Sequence, residues 1–184
     1  VNLSDQQRIE APQAIVWRAL NDPEILRQCI PGCKEIEPVS PTEMTAKATI
    51  KIGPITANFG GRVTFSDIDP PNGYTLSGEG QGGVAGFAKG NAVVRLENQG
   101  TATVLHYDVK AEVGGKIAQL GSRLIDATAR KLAGEFFAKF SAAVETQQGA
   151  VAAAPRAETA ALPPERSWLS RLWDRILRTL RPAS

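Results

Sequence analysis

From Met44 to Val113 the chain is a succession of period-2 runs whose shared face is short of bulk, and this pattern is followed by a single long helical one. Met44, Ala46, Ala48, Ile50 and Ile52 fall on one side, with Thr45, Lys47, Thr49 and Lys51 on the other. Gly53-Pro54 turns the chain into Ile55, Ala57, Phe59, Gly61, Val63 and Phe65. The turn Asp69-Pro70-Pro71-Asn72-Gly73 leads to Tyr74, Leu76, Gly78 and Gly80. A loop over Gly82 to Gly86 precedes Ala88, Gly90, Ala92, Val94 and Leu96, and Asn98-Gln99-Gly100 precedes Thr103, Leu105, Tyr107, Val109, Ala111 and Val113. Short turns between alternating runs predict an antiparallel meander. After Gly114-Gly115 the period becomes helical from Lys116 to Val144, with Ile117, Leu120, Leu124, Thr128, Leu132, Phe136 and Phe140 near one stripe.

Upstream, Leu3 to Ile9 alternates weakly and predicts an edge strand. Ala11-Pro12 opens a helix through Val16, Trp17 and Leu20, because proline suits a first helical turn. Asn21-Asp22-Pro23 ends it and starts a second short helix with Ile25 and Leu26, closed by Pro31-Gly32. The order is one strand, two helices, several strands and one long helix. This predicts an α+β fold, a curved antiparallel sheet around a long C-terminal helix.

The long helix would face Ala46, Ala48, Ala57, Gly61, Gly78, Gly80, Gly90, Ala92 and Ala111. A close-packed interior needs bulk from somewhere, so either the helix drops onto the sheet or a cavity remains. Phe136, Phe140 and Leu132 supply bulk in the second half of the helix, whereas Ala118, Gly121, Ala127 and Thr128 leave its first half light. A cavity is therefore expected at the first half, with the Gly53-Pro54 turn and the Gly82 to Gly90 loop, including Phe87, as its mouth. Its expected lining is Ile50, Ile52, Phe59, Phe65, Leu105, Leu120 and Leu124, with hydroxyls from Tyr74, Tyr107 and Thr128. Such a pocket suits a flat or long apolar molecule held by one or two hydrogen bonds. The alternative is that these glycines only accommodate strand curvature.

Charge divides the chain unevenly. Residues 1–145 hold 15 Lys/Arg against 16 Asp/Glu, a net of −1, whereas residues 146–184 hold six Arg against three acids, a net of +3. Nucleic-acid binding does not fit a body with that balance. Thr146 to Glu165 contains seven Ala, three Pro and no aromatic residue. It has too little apolar area to offset its ordering entropy and reads as a disordered linker, with a typical coil span of about 25 Å.

Residues 166–184 carry an amphipathic helical pattern. Trp168, Leu169, Leu172, Trp173, Ile176, Leu177 and Leu180 fill one half of a wheel, and Arg171, Arg175, Arg178, Arg181, Asp174 and Ser170 the other. Arginines opposite an apolar face with two indoles describe a helix lying on an anionic membrane, the arginines contributing on the order of 1 kcal/mol each. Docking onto the chain's own domain or a partner groove is the alternative. No run reaches the roughly 20 apolar residues that span a bilayer, and Val1 to Glu10 show no secretory apolar core, so a cytoplasmic setting is expected.

Catalysis finds few parts. His106 is the lone histidine and falls on the outward phase of its strand. Cys29 and Cys33 lack a second Cys/His pair for zinc and read as reduced, buried residues. Asp67 and Asp69 sit at a turn, and Gly78 to Gly82 lacks the βαβ context of a dinucleotide site. No enzymatic role, metal or covalent cofactor is expected.

Several segments in order resemble the G-type subunit family of carbon monoxide dehydrogenase, within the START-like (Bet v 1-type) ligand-binding superfamily. They are Ala11-Pro12 to Val16-Trp17, Asn21-Asp22-Pro23-Glu24, and Cys29-Ile30-Pro31-Gly32-Cys33. Lys51-Ile52-Gly53-Pro54, Asp69 to Tyr74, Gly83 to Gly90 and Gly114 to Arg123 complete the set. The resemblance covers residues 1–145 and implies a helix-grip fold around an apolar cavity. It further implies an accessory protein that ties a molybdenum-containing carbon monoxide dehydrogenase, or a related hydroxylase, to the inner face of the cell membrane. A quinone or other apolar lipid is the implied guest, linking the enzyme to the respiratory chain. A membrane adaptor without a guest, and a START-like cyclase or hydrolase, are the rivals.

Overall fold

The computed structural model describes residues 1–153. The alternating runs form strands β1 (Asn2–Ile9), β2 (Cys33–Ser40), β3 (Glu43–Ile52), β4 (Ile55–Asp69), β5 (Gly73–Gln81), β6 (Phe87–Gln99) and β7 (Ala102–Gly114). They pair antiparallel throughout in the order β1-β7-β6-β5-β4-β3-β2. Five consecutive strands, β3 to β7, pair with their sequence neighbours through tight turns, as the meander pattern predicts. Strand β1 pairs with β7 and is an edge. The other edge is β2, a strand that the alternation does not mark: of its residues only Cys33 and Ile36 are even half-buried.

Helices α1 (Gln13–Leu20) and α2 (Pro23–Cys29) carry the chain from one sheet edge to the other. Pro12 precedes α1, and the buried Thr103 hydroxyl donates to the Ala11 carbonyl at 2.7 Å, tying the helix entrance to β7. Asp22 caps α2, its carboxylate accepting from the amides of Glu24 and Ile25 at 2.9 and 3.4 Å. The cap and Pro23 together fix where α2 begins.

The segment after Gly115 differs from the expected continuous helix. Lys116–Leu120 is a 3-10 turn, Gly121 follows with φ of +88°, and α3 begins at Ser122. A left-handed backbone at Gly121 cannot continue an α-helix, so the break is conformational. At its other end α3 runs to Ala153, past the expected domain end at residue 145, so the start of the expected linker at Thr146 is helical. The rest of that linker, and the expected tail helix 166–184, lie outside the described residues.

The main core gathers Ile9, Val16, Leu20, Cys29, Leu105, Phe140 and Val144 between the sheet and the three helices. A second, smaller core lies at the far end of the sheet, where Ile117 packs with Ala57 and Ala85 against Ile52, Ile55, Phe59 and Val113. No helix among the described residues is long and apolar enough to cross a membrane.

Candidate functional site: an apolar hollow under the sheet

Between the inner face of the sheet and α3 lies a hollow of about 300 Å³. This is the lower end of the roughly 300–1,000 Å³ usual for small-molecule pockets. Strands supply most of the lining: Ile36 from β2, Met44 and Ala46 from β3, Val63 and Phe65 from β4, Tyr74 and Leu76 from β5, and Ala92 and Val94 from β6. Leu105, Tyr107 and Val109 of β7 and Leu3 of β1 continue it. Leu20 of α1, Leu26 of α2, Ile30, and Ala133, Phe136 and Phe137 of α3 close the helical side. The strand residues are those on the apolar phase of each alternation. Ala46 and Ala92 face Phe136 and Phe137 without filling the space between them, and this shortage of bulk leaves the hollow open.

Its two sides differ in burial. Leu3, Leu20, Phe65, Tyr74, Val94, Leu105, Tyr107 and Phe137 are buried, whereas Leu26, Ile30, Ile36, Met44, Ala46, Val63, Leu76, Ala92, Val109, Ala133 and Phe136 are half-buried. The buried set gathers at the paired row Tyr74–Val94–Tyr107, and the half-buried set runs from α2 and β2 across β3 to β7.

Aromatic rings organise the closed side. Tyr74 sits with its ring centroid 5.2 Å from that of Phe65, edge to face, and 5.5 Å from that of Trp17. Tyr107 stacks on Phe137 at 4.8 Å, and Phe136 stacks on Phe140 at 5.5 Å. Among the described residues, no charged residue and no histidine lines the hollow. Among the described residues the Tyr74 and Tyr107 hydroxyls have no hydrogen-bond partner, yet no fully enclosed side-chain oxygen is left unsatisfied, so the Tyr74 hydroxyl borders open space. Burial pushes the Tyr74 phenol well above its ordinary value. The Tyr107 phenol is also raised, first by burial and then by Asp5, with Arg130 opposing.

Of the residues expected to form the pocket, Phe65, Tyr74, Leu105 and Tyr107 line the hollow. Ile52 and Phe59 belong to the second core, and Ile50, though half-buried on the same sheet face, lies outside the lining. Phe87 is 37% exposed and covers Gly114, while Leu124 is 36% exposed and leans on Gly53. Leu120 closes the 3-10 turn, and the Thr128 hydroxyl donates to the Leu124 carbonyl of its own helix at 2.8 Å.

The hollow therefore lies beside the second half of the helical segment and not beside the expected first half. Two features take up space at the far end of the sheet, near the start of the helical segment. The 3-10 turn inserts Ile117, 1% exposed, under the sheet. The glycine loop packs closely: its backbone lies directly against Gly114-Gly115, and a Cβ on Gly86 would collide with the Gly114 carbonyl. Here glycine permits backbone contact, and the missing side chains leave no void. The positions that sequence reasoning misses, such as Met44, Val63, Leu76 and Val109, share the strand phase that alternation assigns inward.

Outside the hollow the conspicuous polar groups are paired at the surface. His106 meets Glu97 at 3.0 Å on the outer sheet face, in keeping with its strand phase. Among the described residues, no cluster of three or more His, Cys, Asp or Glu is placed to hold a metal. Cys29 and Cys33 are free thiols. The arginines and indoles expected to contact a membrane, from Trp168 to Leu180, lie outside the described residues.

The comparisons with known proteins agree on the fold. A conserved protein from Geobacillus kaustophilus is 32% identical, with a TM-score of 0.75 over 80% of this chain and 97% of that one. A START superfamily protein from Mycobacterium smegmatis, 15% identical, gives 0.62 over 79% and 98%. The Zhui aromatase/cyclase from Streptomyces sp. R1128, 12% identical, gives 0.58 over 80% and 95%. No curated protein matches the chain. The CoxG family, described as a subunit of carbon monoxide dehydrogenase, matches residues 6–145. With its START-like sheet and helix, this chain belongs to the CoxG family of carbon monoxide dehydrogenase subunits.

Proposed function

We propose that this protein is a non-catalytic accessory subunit that carries an apolar guest, a quinone or similar isoprenoid lipid, between the cell membrane and a molybdenum-containing carbon monoxide dehydrogenase or related hydroxylase. The observation that carries the reading is the hollow itself, walled almost wholly by alkyl and aromatic side chains. A six-membered dicarbonyl ring with an isoprenoid substituent is flat, neutral and largely apolar, which suits such a wall. At about 300 Å³ the hollow takes a ring with its substituents. A long isoprenoid chain would trail out past the half-buried lining residues.

Membrane attachment rests on the sequence of residues 166–184, where five Arg oppose an apolar stripe containing Trp168 and Trp173. The family gives the partner its class, since its description is that of a carbon monoxide dehydrogenase subunit. In this reading the tail helix keeps the protein on the inner leaflet and the body presents the loaded hollow to the enzyme.

Two measurements test the reading. Organic extraction of the purified full chain, followed by mass spectrometry, should release a neutral isoprenoid in near-stoichiometric amount; protein that stays empty even after incubation with quinone-loaded vesicles would refute carriage. Flotation with anionic liposomes should recover the full chain but leave a chain ending at residue 153 behind. Equal flotation would refute the tail as anchor.

A further inference from the structure

Three connections that the fold brings to one end of the sheet build a surface unlike the rest of the body. They are residues 51–56 around the β3–β4 turn, residues 81–88 between β5 and β6, and residues 114–124 between β7 and α3. They pack on one another directly: Gly86 lies against Gly114-Gly115, Leu124 leans on Gly53, and Ala85 and Ile117 share the second core with Ile52 and Ile55. The outside of this end is apolar at its crown. Val84 is 85% exposed on the 3-10 turn Gly83–Ala85, and Phe87 and Leu124 are exposed beside it in the chain's two other connecting strips. Of the large exposed hydrophobic residues among those described, only Val39 and Ile68 lie elsewhere, at the opposite end. Apolar side chains gathered at one exposed place mark a contact surface.

Charge decides what kind of partner that is. Residues 51–56, 81–88 and 114–124 contain Lys51, Lys116 and Arg123 and no acid, a net of +3. All three cations are exposed and, among the described residues, none enters a salt bridge. Two acids, Glu112 and Asp126, lie on the Phe87 side; Glu112 pairs with Lys89 at 3.0 Å, and Asp126 is half-buried. The opposite end of the sheet reverses the sign. Its turns and the end of β1, residues 8–10, 40–43, 66–73 and 97–102, carry Glu10, Glu43, Asp67, Asp69 and Glu97 against Arg8 alone. Salt bridges from Arg8 and Arg62 offset Glu10 and Glu43 and leave the other three.

We propose that this end of the body rests on an anionic bilayer, with Val84, Phe87 and Leu124 entering the head-group region and Lys51, Lys116 and Arg123 meeting lipid phosphates. An anionic leaflet complements both parts of the surface, the apolar crown by burial and the acid-free basic rim by charge. The same leaflet repels the acidic end, so the charge separation gives the body one orientation on it. Close backbone packing at Gly86 and Gly115 holds the loops in shape, and little ordering is lost on contact. Three cations and a small apolar crown bind weakly by themselves. The contact therefore acts on a body already held at the membrane, as a second site at high effective concentration, and a chain ending at residue 153 is still left behind in flotation. This face goes beyond the tail anchor proposed above and shares only its membrane setting.

The test uses the full chain carrying Cys33→Ser, in which Cys29, 1% exposed, takes no label. A polarity-sensitive fluorophore is attached at Val84→Cys or, as the control at the opposite end, at Ile68→Cys, and is read with vesicles of phosphatidylglycerol and phosphatidylcholine. The label at position 84 should shift to the blue and be quenched by lipids carrying a nitroxide at the head group, while the label at position 68 keeps its aqueous emission. Adding Lys51→Glu, Lys116→Glu and Arg123→Glu, all at exposed positions, should abolish the shift while the chain still floats with the vesicles. A label at position 84 that stays aqueous on vesicles would overturn the proposal, and if purified dehydrogenase then shifts it, the face belongs to a protein. Equal shifts at the two positions, or a shift that survives charge reversal, would overturn it as well. A chain that floats with position 84 silent keeps the tail anchor and loses only this face; a shift at position 84 in a chain that fails to float loses only the tail anchor.

Discussion

Replacing Ala92 with leucine is a perturbation whose sign depends on whether the space beneath β6 is empty. Ala92 lines the hollow at mid-sheet, between Leu76 of β5 and Val109 of β7 across the strands. In a filled core three extra carbons would force neighbours off their rotamers and cost about 1–3 kcal/mol. In a hollow of about 300 Å³ the same carbons find room. Burying them gains about 0.8 kcal/mol each. Fixing the longer side chain costs about 0.5–1 kcal/mol. The balance is a stabilisation of about 1.5 kcal/mol. Urea unfolding of the full chain, read by linear extrapolation with matched slopes, measures it directly. The same variant should bind a decyl-substituted 1,4-benzoquinone more weakly, because the leucine occupies its place. Destabilisation by about 1 kcal/mol or more would mean that the interior is already packed, and the reasoning would fail.

Other expected outcomes follow from burial and backbone geometry. Phe140→Ala removes a ring that is 0% exposed and stacked on Phe136, and should cost about 3–5 kcal/mol in the same urea assay; a loss under about 1 kcal/mol would contradict the core assignment. Gly86→Ala should destabilise by about 2 kcal/mol or more, since φ is +118° and its Cβ meets the Gly114 carbonyl. A neutral result there would contradict the close packing of the loop on Gly114-Gly115. Burial pushes both the Cys29 and Cys33 thiols up, so a thiol reagent at neutral pH should label half-buried Cys33 slowly and faster as pH rises. Cys29, 1% exposed, should react only on unfolding, as mass spectrometry of quenched samples can show.

Much of the architecture is legible because the strands announce their own phase. Every lining residue of β3 to β7 lies on the face that alternation assigns inward, and α1 and α2 begin where Pro12 and Asp22-Pro23 place them. Strand β2 is not legible, because an edge strand with Glu35, Glu37, Pro38 and Val39 exposed has no buried face to mark it. The 3-10 turn hides for another reason: Ile117 and Leu120 are three apart, a spacing that suits both helix types, and only Gly121 hints at the break.

The location of the hollow is half legible. Counting small inward residues correctly signals missing bulk, but a glycine can mark either a void or a close backbone approach. At Gly86 a Cβ would strike neighbouring backbone, whereas Ala46 and Ala92 face open space. Bulk on α3 misleads in the same way. Phe137 and Phe140 spend their volume against Tyr107 and Phe136, so the aromatic half of the helix frames the hollow and does not fill it.

Xenon binding under pressure reads empty apolar space without reference to any biological guest, because dry cavities lined by aliphatic and aromatic groups take up the gas. Crystals of the guest-free protein under xenon should show the atom held among Leu76, Ala92 and Phe136, and crystals of the Ala92→Leu variant should show it lost. A xenon-free interior, with those side chains in mutual contact, would contradict the account.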